Sequence, residues 1–210
     1  MSKKKIVYFM DIMCGWCYAF SNVSAGIMEK YRDEFDFEII PGGMFEKDKV
    51  YLSEKMEQNI LGSFEMIKHD TGADIGEGYR KFIKNYGKNL ESITGSLAIN
   101  AFCRIKPESS YEYAHRLQVE LFENGKDVTD VNVCMETAKE FGVSEDEFMK
   151  VYSSDENRRI TEEGFRRVYD WQVELYPSLY ILDEETGEYR FIVNTKGTVE
   201  SVSALIDSMK

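Results

Sequence analysis

A chain of 210 residues, 43% of them hydrophobic and 13% aromatic, is long enough to bury one sizeable core, and its four cysteines are too few to staple a fold of that size. Its 26 Lys and Arg against 38 Asp and Glu give a formal net charge of −12, which excludes the basic surface needed for non-specific binding to nucleic acid or an anionic membrane. What remains is an acidic, solvated surface, suited to basic or unfolded partners without identifying one.

The chain opens Met1-Ser2-Lys3-Lys4-Lys5 and continues with the apolar run Ile6-Val7-Tyr8-Phe9-Met10. The basic start imitates a signal peptide, but the run is too short for the apolar region of one and Asp11 ends it. No stretch approaches the length of a membrane span. The expectation is a cytoplasmic protein, whose thiols rest mostly reduced.

The same run, bounded by turn residues, predicts a buried strand. After it Cys17, Phe20, Val23, Ser24, Ile27, Met28 and Tyr31 recur at helical spacing, so one amphipathic helix is expected from the Cys-x-x-Cys onward. Cys14 then stands at the helix N-terminus, where unpaired N–H groups and the helix dipole stabilise an anion. Because the thiolate is the reactive form, Cys14 is the expected attacking sulfur, with a lowered pKa. Cys17, one turn deeper, is placed to resolve a mixed disulfide. The rival reading is a structural zinc site, which needs about four ligands, commonly in paired clusters. Cys103, Cys134, His69 and His115 are the other candidates, and they are scattered. No metal is expected.

Phe35-Asp36-Phe37-Glu38-Ile39-Ile40 alternates as a strand and Pro41-Gly42-Gly43 stops it, giving a parallel βαβ unit. From about 48 to 171 the pattern is helical, with helices predicted near 53–69, 77–87, 92–105, 108–124, 130–142, 144–153 and 156–171. Ser144 followed by Glu147 is a capping-box pattern, and Gly142 can end the helix before it. This stretch is too long for a loop and is expected to be an inserted subdomain, 48–171, with 1–47 and 172–210 forming the other, discontinuous domain. Leu179-Tyr180-Ile181-Leu182 and Tyr189-Arg190-Phe191-Ile192-Val193 flank the turn Asp183-Glu184-Glu185-Thr186-Gly187 as an antiparallel hairpin. Thr198 can cap a last helix with Val199, Val202, Leu205 and Ile206 on its apolar face.

The order βαβ, helical insertion, then helix, proline and ββα resembles the thioredoxin superfamily, and within it a DsbA-like protein of the FrnE-like subgroup. The resemblance is carried by Asp11-Ile12-Met13-Cys14-Gly15-Trp16-Cys17-Tyr18, by Pro41-Gly42-Gly43, by Glu120-Leu121-Phe122-Glu123-Asn124-Gly125-Lys126-Asp127-Val128, and by Tyr176-Pro177-Ser178. It implies an α/β thioredoxin-like fold with a large all-helical insertion. It also implies a cis Pro177 facing the Cys-x-x-Cys, so that the backbone at Tyr176 can pair with an extended substrate. The chain departs from the family in Ile12, where proline is common, in Leu175, where glycine is common, and in Ser178, where threonine is common. These departures bear on the shape of the substrate groove.

Asp11 is either a proton-transfer carboxylate for Cys17 or a turn-forming aspartate. Trp16 reads as an apolar rim for substrate, while Tyr18 reads equally as rim or packing. Cys103, Cys134 and most methionines read as core, and His69 and His115 lack a catalytic partner. The expected function is a dithiol–disulfide oxidoreductase or isomerase. In it Cys14 exchanges, Cys17 resolves, and Trp16, Tyr176, Pro177 and Ser178 bind substrate. Its partners are protein or small-molecule thiols and disulfides, and it needs no organic cofactor. A glutathione-using isomerase or transferase of small aromatic or polyketide-like molecules is the alternative, with glutathione as co-substrate. A holdase module working through the insertion is a third reading. The sequence leaves the oligomeric state open.

Overall fold

β1 (Lys4–Met10) is the strand on which the sheet is built, and its apolar run has a reason: both of its faces are covered. The computed structural model describes residues 4–45, 53–86 and 90–210. Ile6, Tyr8 and Met10 face one side and join a core that continues through Cys17, Phe20 and Ile27. Val7 and Phe9 face the other side with Ile40 and Tyr180, under Val168 and Trp171. β1 pairs in parallel with β2 (Asp36–Pro41) and antiparallel with β3 (Ser178–Asp183), which pairs antiparallel with β4 (Tyr189–Asn194). The sheet order is β2-β1-β3-β4. Pro41 does not stop the second strand; it is its last residue and sits opposite Met10. A proline fits there because β2 lies at the sheet edge, where a missing N–H disrupts no ladder on the open side.

The helix expected after the cysteines is two helices, α1 (Gly15–Ala19) and α2 (Ser21–Tyr31), joined at Phe20. Side-chain hydroxyls enter the ladder at the junction. Ser24 Oγ donates to the carbonyls of Phe20 and Ser21, and Tyr111 from a distant helix also donates to Ser21 O. Hydroxyls inserted into the carbonyl ladder are a recognised cause of helix breaks. Cys17, Phe20, Ser24, Ile27 and Tyr31 are buried as the spacing predicts.

Between β2 and β3 run α3 (Glu54–Thr71), α4 (Glu77–Tyr86), α5 (Ile93–Ile105), a 3₁₀ turn (Pro107–Ser109), α6 (Ser110–Phe122), α7 (Val131–Glu140), α8 (Glu145–Tyr152) and α9 (Asp155–Asp170). The helix predicted from 108 thus begins with a 3₁₀ turn. The expected end of the second of these helices at 87, and the expected boundary between 47 and 48, lie outside the described residues. Caps fix the helix starts. Side-chain oxygens of Ser53, Asp130, Ser144 and Ser154 accept backbone N–H groups at the N-caps of α3, α7, α8 and α9. Within the helices, the Phe102 and Tyr113 rings stack 4.0 Å apart, and the Tyr113 hydroxyl donates to Cys134 O at 3.0 Å.

The last helix, α10 (Val199–Ser208), opens with a capping box between Thr198 and Ser201. Val202 and Ile206 are buried against the core, but Leu205, expected on the same face, is exposed. Among the described residues no helix is long and apolar enough to cross a membrane.

Candidate active site

Cys14 starts α1 by capping it. Its backbone is extended (φ −87°, ψ 109°), its sulfur accepts the Cys17 N–H at 3.3 Å, and its carbonyl accepts the same N–H at 3.0 Å and that of Tyr18 at 3.2 Å. The turn that delivers it is closed by Cys14 N–H to Asp11 O at 3.1 Å and by Met13 N–H to the Asp11 carboxylate at 2.8 Å. The Cys14 thiol donates to Tyr176 O at 3.4 Å. The motif at residues 11–17 and the loop before β3 are therefore in direct contact across 162 positions of sequence.

The two cysteines differ in access. Cys14 is 6% exposed and Cys17 is 0% exposed, beneath it. Burial first, and then the neighbouring Cys14, hold the Cys17 thiol well above its ordinary pKa of 9.0; a hydrogen bond with the Asp11 backbone opposes this only in part. Cys17 therefore carries its proton at neutral pH. All four cysteines are free thiols.

Asp11 is the polar centre of the site and is 0% exposed. Its carboxylate accepts Met13 N–H at 2.8 Å, Met44 N–H at 2.6 Å and Ser92 Oγ–H at 3.0 Å. Burial raises its pKa from the ordinary 3.8, these three donors pull it down, and the nearby Glu91 charge adds to the rise. So Asp11 forms the turn, as one reading has it, and also ties three chain segments together. Ser92 stands at the N-cap of α5 but makes no side-chain cap bond. Its hydroxyl instead donates to Asp11 and accepts Phe45 N–H at 3.1 Å, while its own N–H donates to Phe45 O at 3.1 Å. Gln118 of α6 reaches the Asp11 carbonyl at 3.5 Å.

The Tyr176–Pro177 bond is cis, as the resemblance implies. Tyr176 lies over the end of β2, and its hydroxyl donates to Gly42 O at 2.8 Å. Gly42 makes room for the Tyr176 ring, and Gly43 for that of Phe165. A Cβ on Gly42 would overlap the Tyr176 ring, and one on Gly43, at φ +68°, would lie 2.7 Å from the Phe165 ring. Ser178 is buried at the start of β3, opposite Phe9 and Asn194, and its hydroxyl donates to Leu175 O at 2.7 Å. That hydroxyl holds its own loop.

Trp16 is half-buried and lines, with Cys14, Phe45, Phe64, Tyr79 and Phe122, an apolar pocket of about 180 Å³. Tyr18 packs instead. Its ring lies 5.2 Å from Phe122 and 6.3 Å from His115, and its hydroxyl donates to Glu123 at 2.8 Å. Burial and the Glu123 carboxylate raise its pKa. Cys134 is buried as expected, its thiol donating to Val128 O at 3.5 Å. Cys103 packs at the edge of the core; it is half-buried and also lines a cleft of about 350 Å³ along β2.

The sequence reading missed Ser92, Met44 and the aromatic wall of Phe64 and Tyr79. Ser92 carried one signal, its place at a predicted helix start, but that signal points to a cap. Its partner Asp11 lies 81 positions away. Among the described residues no group of three or more His, Cys, Asp or Glu side chains is placed to hold a metal ion.

A comparison with curated proteins returns no match. Among solved structures, the chain is similar to a candidate protein disulfide isomerase from Nitrosomonas europaea, with a TM-score of 0.87 and 23% identity over 98% of this chain and 97% of that one. It is also similar to the cytosolic disulfide reductase DsbM from Pseudomonas aeruginosa, with a TM-score of 0.81 and 18% identity over 98% of each chain. A third likeness is to the oxidoreductase NmDsbA1 from N. meningitidis, with a TM-score of 0.62 and 11% identity over 99% of this chain and 82% of that one. At these identities the likeness speaks for the fold, a DsbA-like thioredoxin fold. The thioredoxin family profile matches residues 8–202, and the chain belongs to that family.

Proposed function

We propose that the protein is a dithiol–disulfide oxidoreductase working through Cys14 and Cys17. One observation carries the reading: the sulfur nearer the surface caps a helix beside an apolar pocket, with the Cys17 N–H aimed at it from 3.3 Å and the Tyr176 carbonyl 3.4 Å away, while the second thiol lies fully buried one turn below. In the reducing direction the Cys14 thiolate attacks one sulfur of a substrate disulfide. The Cys14–substrate S–S bond forms, the substrate S–S bond breaks, and the first substrate thiolate leaves and takes up a proton. Cys17 then gives up its proton and attacks Cys14 Sγ. The Cys14–Cys17 disulfide forms and the second substrate thiolate leaves, so two electrons have passed from the dithiol to the substrate. The oxidising direction is the reverse.

The raised pKa of Cys17 makes its deprotonation the step that needs help. Asp11 is the acceptor we assign, since it is buried beside the pair, burial raises its pKa above the ordinary value, and its backbone already bonds Cys17. Tyr176 and Pro177 offer the backbone beside the sulfur to an extended substrate, and Trp16 walls the apolar pocket next to it. Glutathione is a second candidate partner, as co-substrate or recycling thiol. It is favoured by the Pseudomonas DsbM structure solved with GSH, which shares 19% identity with this chain. A cytosolic setting, the one named for that protein, keeps such a pair reduced at rest.

The test is a redox titration against glutathione buffers, with the thiols trapped by alkylation and counted by mass. A two-electron equilibrium confined to Cys14 and Cys17 is expected. Its midpoint sets the direction: near −120 mV, as in DsbA, it marks an oxidant, and near −270 mV, as in thioredoxin, a reductant, both on the order of the family values. A pair that stays dithiol at every glutathione ratio overturns the proposal.

A further inference from the structure

Cys14 stands between two unlike hollows. On one side is the apolar pocket of about 180 Å³, whose described lining carries no ionised side chain. On the other, an open hollow of about 580 Å³ lies between the Gly42-Gly43-Met44 loop, the last turns of α9 and the loop leading to Tyr176. Met44, 41% exposed, belongs to both and forms the ridge between them. Tyr176 joins the second hollow to the chemistry, since its ring lines the hollow while its carbonyl accepts the Cys14 thiol at 3.4 Å.

The open hollow has a distinct chemistry. Phe165, Tyr169 and Tyr176 supply aromatic faces, Tyr169 being 84% exposed, and Leu175, 52% exposed, stands at its margin in the chain. Glu174 is the one carboxylate among its described lining residues, there is no Lys or Arg among them, and Glu174 makes no ion pair among the described residues. Aromatic faces and an unpaired carboxylate together suit a cationic side chain, through cation–π and Coulomb attraction.

We propose that the hollow at Glu174 is a substrate subsite for a basic residue. The enzyme then takes extended polypeptide disulfides whose cysteine has an apolar residue on one side and a Lys or Arg on the other, in preference to glutathione disulfide. The inference rests on the exchange chemistry proposed above. An extended chain advances about 3.3 Å per residue. Side chains alternate between the two faces of such a chain, so with its sulfur on Cys14 the residues two before and two after the cysteine face the enzyme, one toward each side of the Met44 ridge. Glutathione presents a carboxylate at each end. The glycine carboxylate would either enter an apolar pocket at a desolvation cost or meet Glu174 as a like charge, and the γ-glutamyl end, whose α-ammonium is offset by its own α-carboxylate, brings no net positive charge to Glu174. A net charge of −12 adds long-range attraction for basic chains.

The experiment uses the full-length chain with Cys17→Ser, so that exchange stops at the mixed disulfide on Cys14. Symmetric peptide disulfides are offered with Leu two residues to one side of cysteine and Lys, Ala or Glu two residues to the other, in both orders, alongside glutathione disulfide. Each rate, read by mass after acid quench, is divided by the rate of the same disulfide with 2-mercaptoethanol. In one order of residues the Lys peptide should react about fivefold faster than its Glu counterpart and than glutathione disulfide, the size expected of an exposed charge pair. Glu174→Lys should invert the Lys-to-Glu ratio. Glu185→Gln, which removes an exposed carboxylate in the β3–β4 turn, should leave it unchanged. Equal ratios for the Lys and Glu peptides, a glutathione rate above both, or a preference that survives Glu174→Lys would each overturn the subsite. If neither peptides nor glutathione form a mixed disulfide on Cys14, it is the oxidoreductase reading that fails.

Discussion

At the scale of single residues, Asp11 and Ser92 set the electrostatics beneath the sulfurs. The folded-state pKa of Asp11 lies above the ordinary 3.8. Between the two values the folded protein holds a proton that the unfolded chain has released, so unfolding free energy falls as pH rises through that window and is level above it. Ser92→Ala removes a donor from the carboxylate. It should extend the falling limb to higher pH and cost about 1.5 to 3 kcal/mol at neutral pH, the range for a hydrogen bond to a charged group. Ser92→Thr keeps a hydroxyl and should restore the wild-type profile. Urea unfolding of the three proteins from about pH 3 to 8 measures this, and superimposable profiles would show that Ser92 does not act on Asp11. The place of Cys14 at the helix start, with Cys17 buried one turn below it, was legible in the sequence, because a Cys-x-x-Cys at a strand–helix junction is a local pattern. The Asp11–Ser92–Met44 contacts were not, because each joins segments that only the tertiary fold brings together.

The elements divide along the same line. Strand periodicity placed β1, β2, β3 and β4 to within a few residues, and helical periodicity found each helix between β2 and β3. Periodicity could not show the break at Phe20, where hydroxyls of Ser24 and of Tyr111 on α6 meet the carbonyls of the junction, nor that Leu205 would face solvent. The Gly42-Gly43 turn was read as a strand stop. In the structure it is also the bed on which the Tyr176 ring lies. Gly42→Ala should force that ring away and take with it the loop whose carbonyl meets Cys14. The expected cost is about 1 to 3 kcal/mol, as for overpacking elsewhere, together with slower mixed-disulfide formation. Denaturant midpoints and exchange rates with a single peptide disulfide, taken side by side, check it. An unchanged exchange rate would mean that Tyr176 does not need this seat.

Across the whole molecule one apolar core runs from β1 through α1 and α2 into the helices between β2 and β3. Phe122 of α6 sits at that seam, fully buried, with its ring 5.2 Å from Tyr18 and 4.7 Å from Tyr79. Phe122→Ala should cost about 3 to 5 kcal/mol. Because the core is shared, helix content and aromatic packing should be lost together in one transition. Far- and near-ultraviolet circular dichroism followed during the same denaturation will show whether they do, and two separated transitions would mean that the segments are stable independently. The chain's two tryptophans are both half-buried but have different neighbours. Trp171 is clamped, its ring stacked 4.0 Å from Tyr189 with the Arg167 guanidinium 4.7 Å above it. Trp16 lies between the two sulfurs in sequence and walls the pocket beside Cys14. A disulfide is an efficient quencher of indole light emission and a thiol is a weaker one. Under the proposed Cys14–Cys17 couple the intrinsic fluorescence becomes a redox gauge: Trp16 should dim when the disulfide forms and brighten when it is reduced, while Trp171 supplies the baseline.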